Sequence, residues 1–315
     1  MKHQITFILG CTGCGKGRVG RELARRVCAE ILSTDSMKVY RRMDIGTAKP
    51  TAEDREIVPH HLIDVVEPSQ EFSVAQFAEQ SDQAIAGIHQ RGHRVLAVGG
   101  TALYIKALSE GLFEGPSADE AVRQRLHAEA RADGTPELHK KLQAVDPVAA
   151  ERIHPNDLRR IVRALEVHEL TGRPISELQT QWGGQSPDYV VTFVGLRRER
   201  EDQSARTNAR VKRMIEQGLV AEVEALLAED PPPGITARQA LGYAEIIEHL
   251  EGKVSLAEAV ENIKINTRRL SKAQRTWFKR FPDVFWIDLD RDTTVEQVVD
   301  ELAAMEHMPW SKGPR

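Results

Sequence analysis

Gly10-Cys11-Thr12-Gly13-Cys14-Gly15-Lys16-Gly17 is the stretch of this chain whose residue types and spacing commit it to a chemistry. In the pattern G-x-x-x-x-G-K, glycines let the backbone turn its N–H groups onto an anion at a helix N-terminus, and the lysine adds a point charge. The pattern predicts binding of a di- or triphosphate. The Ser or Thr that ordinarily follows the lysine and ligates Mg²⁺ is Gly17 here, so nucleotide hydrolysis is much less strongly indicated. Asp35 and Thr101 are the next candidates, a carboxylate and a hydroxyl that each follow an apolar run. Alone, Asp35 would read as a cap or turn residue and Thr101 as the cap of a helix over Ala102–Leu108. Cys11-x-x-Cys14 has the form of a redox motif, but both cysteines lie inside the loop and read as small fillers. His60-His61 has no third ligand spaced to join it, and the sequence assigns the pair no chemical role.

These residues need a scaffold that brings distant segments together. Ile5–Leu9 reads as a buried strand and Arg18–Val27 as a helix with Val19, Leu23 and Val27 on one face. Glu30–Thr34 is a second strand ending at Asp35, Ser73–Arg91 a helix stopping at Gly92, and Val95–Val98 a third strand entering Gly99-Gly100-Thr101. Residues 36–70, with Gly46, Pro50, Pro59 and Pro68, read as loop-rich. Alternating strands and helices predict a parallel sheet, in which the loops at the carboxyl ends of the strands share one crevice. Asp35, Thr101 and the glycine-rich loop therefore fall together.

After Gly115-Pro116 the pattern is helical from about 118 to 178, and a strand-like run, Tyr189–Val194, then resumes the sheet. A helix over about 201–229, the breaker Pro231-Pro232-Pro233-Gly234, a helix over about 256–280 and a last strand, Val284–Leu289, follow. The expected fold is α/β: a P-loop core with a parallel sheet flanked by helices, plus an all-helical insertion. The boundaries expected are 1–116 for the first part of the core, 117–187 for the insertion and 188–315 for the second part.

With 41% hydrophobic and 29% charged residues in 315, the composition fits a folded enzyme rather than a disordered chain. The absence of a span-length apolar run predicts no membrane role, and a first strand directly after the start predicts no signal peptide. Three cysteines make no disulfide framework, which agrees with a cytoplasmic protein. A net charge of −4 argues against nucleic acid, but its distribution argues for it: Lys264 to Arg280 holds seven basic residues and no acid, and Arg197 to Arg213 holds seven against three acids. In the first run Arg268, Lys272, Arg275 and Lys279 recur at i, i+4, i+7, i+11 and predict a phosphate-facing row, with Ile263, Leu270 and Trp277 on a packing face.

Several long segments make the likeness to a family specific. They are Asp35-Ser36-Met37-Lys38-Val39-Tyr40-Arg41, Met43-Asp44-Ile45-Gly46-Thr47-Ala48-Lys49-Pro50 and Val58-Pro59-His60-His61-Leu62-Ile63-Asp64, then Gly99-Gly100-Thr101 with Ala102–Leu108. His154-Pro155-Asn156-Asp157 with Arg160–Val167, Gln239-Ala240-Leu241-Gly242-Tyr243 and Arg275-Thr276-Trp277-Phe278 complete the set. From Ile5 to about Phe281 the chain resembles the tRNA dimethylallyltransferase (isopentenyl-tRNA transferase) family of bacterial type.

The resemblance implies transfer of a dimethylallyl group from its diphosphate to N6 of the adenine at tRNA position 37, with Mg²⁺ as cofactor and the anticodon stem-loop as partner. It implies that Asp35 is the general base, that Thr101 hydrogen-bonds near the breaking C–O bond, and that Arg210, in an R-x-x-x-R-x-x-x-M pattern from Arg206, holds the diphosphate with the loop Gly10–Gly17. A loop of this type also accepts nucleotides such as ATP. For tRNA it implies Asp35, Ser36, Met37, Lys38, Thr101, Arg123, and Arg159, Arg160, Ile161, Val162 and Arg163. Base extrusion brings the adenine to the crevice, and a monomer is expected. Gly17 departs from the family's hydroxyl, Lys38 and Arg159 stand at expected glutamines, and no Cys/His zinc-finger pattern follows the core. The competing readings are a small-molecule P-loop kinase, an adenylate isopentenyltransferase and an inactive tRNA-binding relative.

Overall fold

The computed structural model describes residues 2–112, 115–179, 188–305 and 308–311. Two compact units divide the chain: Met1–Ser109 with Ser186–Arg315, and Glu110–Gln185. The expected insertion, 117–187, is shorter at its start than the second unit; its expected end falls at a stretch outside the described residues.

In chain order the first unit begins with β1 (His3–Gly10), α1 (Lys16–Arg26), β2 (Ala29–Thr34), α2 (Ala52–Ile57), β3 (His60–His61), α3 (Val74–Gln90), β4 (Arg94–Gly99) and α4 (Ala102–Glu110). The second unit holds α5 (Glu120–Asp133), α6 (Thr135–Val145), α7 (Pro147–Arg152), α8 (Leu158–Thr171) and α9 (Ile175–Leu178). The first unit resumes with β5 (Tyr189–Arg198), α10 (Arg200–Glu216), α11 (Leu219–Leu227), α12 (Ile235–Arg238), α13 (Tyr243–Leu250), α14 (Leu256–Phe278), β6 (Phe285–Leu289) and α15 (Val295–Ala304).

The six strands form one parallel sheet in the order β3-β2-β4-β1-β5-β6. Its register sets Ile5 between Val95 and Val191, and Thr34 beside Gly99. Helices cover both faces, so the strands read as continuous apolar runs without alternation. One layer packs Ile8, Val19, Leu23, Leu96, Val194 and Val299; the other packs Phe7, Leu9, Phe77, Ile85, Ile105 and Phe278. A third cluster, including Tyr40, Met43, Met214, Val223, Tyr243 and Ile263, seats the long segment after β2 on α10, α11, α13 and α14.

The single helix expected over 201–229 is two. Gly218, at φ 99, takes a left-handed turn that ends the first and opens the second. The segment 36–70 is not all loop: Thr51 caps α2 with a reciprocal Asp54 contact, and His60–His61 adds an edge strand. α15 lies beyond the elements expected from the sequence, although Val298, Val299 and Leu302 at helical spacing are its signal and Thr294 with Gln297 caps it.

Candidate functional site

β1 ends at Gly10, the chain turns through Gly13 (φ 82) and Gly15 (φ 100), and Lys16 begins α1. Positive φ is open to glycine at no steric cost, which fixes the spacing of the motif. Gly17 is ordinary helix, and a Cβ there would meet nothing nearer than Arg21 Nη1 at 3.9 Å.

Groups from the end of β5, from α10 and from α14 hold this loop. Thr12 N–H donates to Gln274 Oε1 at 2.8 Å, Thr12 C=O accepts from Gln203 Nε2 at 2.8 Å, and Thr12 Oγ1 accepts from Arg210 Nη1 at 3.2 Å. Cys14 C=O accepts from Arg198 Nε at 3.1 Å, and the Cys11 thiol donates to the Ser271 carbonyl at 3.4 Å. Burial pushes the Cys11 thiol up, which keeps it protonated; both loop cysteines are buried, as fillers are.

The same Gln274 reaches the next strand end. Its Nε2 donates to Gly100 C=O at 3.0 Å, and a Cβ on Gly100 would lie 2.3 Å from that nitrogen and 3.7 Å from Lys16 Nζ. Thr101 follows. Its Oγ1 accepts from Ser36 N–H at 3.0 Å and donates to Ser36 Oγ at 3.2 Å, tying the end of β4 to the end of β2. Asp35 Oδ1 accepts from Met37 N–H at 3.0 Å, an Asx turn that aims the carboxylate. Gly99 allows the approach, since its Cβ would stand 2.3 Å from Thr34 O. Lys16, Thr12, Asp35 and Thr101 thus meet at the carboxyl edge of the sheet.

Charge at this edge is mostly positive. Burial pulls the Lys38 ammonium down to about 8; Lys16, Arg210 and Arg21 repel it and Asp35 alone opposes. Burial also lowers the Arg210 guanidinium, with Asp35 opposing. Among the described residues no three His, Cys, Asp or Glu side chains are grouped to hold a metal. Gly17 offers no side-chain oxygen, and Asp35 is the single carboxylate at this edge among the described residues, with its Oδ1 accepting from Met37 N–H. The residues present do not make a Mg²⁺ site of their own.

Two segments with no role assigned in the sequence prove to be supports. Lys49, whose side chain is 1% exposed, bonds Asp64 at 2.6 Å, Asp44 at 2.5 Å and the Tyr40 carbonyl at 2.7 Å, and Arg55 bonds Asp64 at 2.6 Å. Glu222 accepts from the N–H groups of Asp44, Ile45 and Gly46 at 3.1, 2.8 and 3.3 Å and from Tyr243 Oη at 2.6 Å. A Cβ on Gly46 would sit 2.4 Å from the Tyr243 ring. This network fixes the segment that carries Asp35–Lys38. His61 Nε2 and His93 Nδ1 lie 2.6 and 2.7 Å from the Glu30 carboxylate, which also accepts two bonds from Arg91; His60 Nδ1 donates to Val58 C=O at 2.7 Å.

Several expected tRNA residues are placed otherwise. Ile161 and Val162 are 0% and 3% exposed in the core of the second unit, on the apolar face of α8, so their side chains cannot touch RNA. Arg123 (2.8 Å) and Arg163 (2.6 Å) clasp the buried Glu166 carboxylate, and Arg163 also bonds the Pro116 carbonyl, so both hold the unit together. Arg159 and Arg160 are exposed.

On α14 the packing face is Ala259, Ile263, Thr267, Ser271, Gln274 and Phe278; Leu270 is exposed and Trp277 lies under Arg280. The basic row flanks this face by about a quarter turn at 3.6 residues per turn. Its inward member, Arg275, is half-buried and donates to Gln203 Oε1 at 3.3 Å; Lys272 and Lys279 are exposed, and Arg268 bonds Asn208 at 3.2 Å. Arg275 therefore belongs to the loop clamp and not to the outer row. Gln274, Gln203, Arg198 and Glu222 carry no period or motif that marks them for the site.

A family model described as IPP transferase matches residues 38–281. The tRNA dimethylallyltransferase of Geobacter metallireducens is 47% identical over 287 residues, 91% of this chain and 93% of the relative. That of Carboxydothermus hydrogenoformans is 45% identical over 303 residues, 96% of this chain and 97% of the relative. The crystal structure of the tRNA isopentenylpyrophosphate transferase of Bacillus halodurans superposes with a TM-score of 0.70 at 41% identity, covering 96% of this chain and 94% of that one. A eukaryotic dimethylallyltransferase solved acting on tRNA gives 0.75 at 27% identity, with 91% and 74% covered.

Proposed function

The chain belongs to the IPP transferase family, and on that premise we propose that it moves a dimethylallyl group from dimethylallyl diphosphate to N6 of the adenine at tRNA position 37. The observation that carries this reading is the meeting of Lys16 and the loop with Thr101 and Asp35, through Gly100 and Ser36. A diphosphate on the loop sets its allylic C–O bond toward the Thr101 hydroxyl. The exocyclic amine of adenine is a weak nucleophile, because its lone pair is delocalised into the ring. As the C–N bond forms and the C–O bond breaks, Asp35 takes the N6 proton and the diphosphate leaves with the bonding electrons. The loop amides, Lys16 and Arg210 stabilise the charge that develops on it.

Relatives named for tRNA support tRNA as the acceptor. Arg159 and Arg160 on α8, and Arg268, Lys272 and Lys279 on α14, offer cations for its backbone. The protein acts as a monomer in this reading, and any Mg²⁺ arrives with the diphosphate. A kinase is disfavoured by the missing hydroxyl at Gly17 and by the added helical unit.

Asp35→Asn tests the assignment. The amide keeps the turn to Met37 through its carbonyl oxygen but cannot take the proton. Turnover should fall by about two to four powers of ten with tRNA affinity retained. Near-normal turnover would remove Asp35 from the chemistry.

A further inference from the structure

Gln274 is 8% exposed on α14, and its amide joins two segments that the chemistry needs at a fixed separation. Its Oε1 accepts from Thr12 N–H in the glycine-rich loop at 2.8 Å, and its Nε2 donates to Gly100 C=O at 3.0 Å. Gly100 is gripped from its other side as well: its N–H and that of Thr101 both donate to Thr34 C=O, at 3.2 and 3.1 Å. Thr101 Oγ1 in turn accepts from Ser36 N–H, the residue after Asp35. One turn earlier on α14, the Ser271 carbonyl accepts from the Cys11 thiol at 3.4 Å, so the helix holds the loop at two points. α14 runs unbroken from Leu256 to Phe278 and buries Ile263, Thr267, Ser271 and Phe278 beside Gln274, which leaves that hold little room to shift. The fit on Gly100 is close, since a Cβ there would stand 2.3 Å from Gln274 Nε2.

We infer that Gln274 is a positioning residue for the transfer. It sets the distance between the loop and the Thr101 hydroxyl, so that a diphosphate on the loop presents its allylic C–O bond to Thr101. The inference rests on the donor-site reading given above and deepens it: Gln274 acts through Thr12 and Gly100 and not on the reacting groups themselves. Transfer between two bound reactants depends on such a distance, and a displacement of about 1 Å can cost about a hundredfold in rate.

Single-turnover transfer from bound dimethylallyl diphosphate to saturating unmodified tRNA reads the rate per bound donor. A damaged fold lowers the amount of donor bound and leaves that rate alone. Gln274→Met, similar in length and unable to make either bond, should lower the rate about 10- to 100-fold. Dissociation constants for inorganic pyrophosphate and for tRNA should stay within about threefold, because the loss lies in orientation and not in ground-state binding. Gly100→Ala keeps Gln274 but drives its amide off the carbonyl, and should give a loss of the same order even if the Met variant folds poorly. Thr101→Ala should itself cost about a hundredfold or more. Adding Gln274→Met or Gly100→Ala to Thr101→Ala should then cost less than about threefold further, since a hydroxyl that is absent cannot be misplaced. Losses that multiply in the double variants, or a rate per bound donor that Gly100→Ala leaves unchanged, overturn the role of Gln274. A rate untouched by Thr101→Ala overturns the donor-site reading, and the role of Gln274 with it.

Discussion

Burial drives the His60 imidazole down to about 4 from its usual 6.5, and its Nδ1 donates to Val58 C=O at the edge of the sheet. A folded value below the unfolded one means that protonation favours the unfolded chain. Stability from neutral His60 is complete above about 6.5 and is lost as pH falls toward 4. Glu30, held down to about 2 chiefly by Arg91, gives way later, between its ordinary 4.5 and that value. His60→Asn, whose amide nitrogen can make the same bond to Val58, should flatten the dependence of unfolding free energy on pH between 6.5 and 4. Denaturant titrations at pH 7 and 5 measure it; equal losses in both proteins would mean His60 does not titrate there. At this scale the sequence is legible where a motif has a fixed spacing, as in the loop and in Asp35 and Thr101. It is silent on Gln274, whose partners Thr12 and Gly100 lie 262 and 174 residues away. An amide in the middle of a basic run carries no period.

α14 shows what an element adds. Its sequence gives the helix and the basic row, but a periodicity of charge does not say which neighbour the row meets. Packing settles it: Ser271 and Gln274 turn onto the glycine-rich loop and draw Arg275 with them, leaving Lys272 and Lys279 outside. The helix therefore has an inner edge on the glycine-rich loop and an outer, exposed one, which the proposed function gives to the donor and to tRNA respectively. Lys272→Gln with Lys279→Gln should reduce the slope of log tRNA affinity against log salt by about 0.7 to 0.9 for each phosphate no longer neutralised. Arg275→Gln should leave that slope unchanged and disturb donor binding. Filter binding across a salt series separates them, and a slope reduction from Arg275→Gln equal to that of either lysine would return Arg275 to the outer row. The same limit explains the split of the expected 201–229 helix: apolar spacing continues through Gly218, and only the backbone geometry reveals the break.

Over the whole molecule, net charge −4 and a tRNA substrate are compatible because the charge is distributed by site. The α/β order of the elements was readable, since continuous apolar strands alternating with amphipathic helices admit few parallel arrangements. The supports were not, since Glu222 and Lys49 act on backbone groups that only the folded chain brings to them. The central claim is group transfer from a diphosphate to tRNA, and the most direct measurement incubates the protein with dimethylallyl diphosphate labelled in its prenyl group, ATP, and either tRNA, AMP or no acceptor. Label should enter tRNA alone and appear, after digestion, as N6-isopentenyladenosine, with one diphosphate released per transfer and ATP unchanged. Label in AMP, or ADP formed without labelled tRNA, would contradict the account.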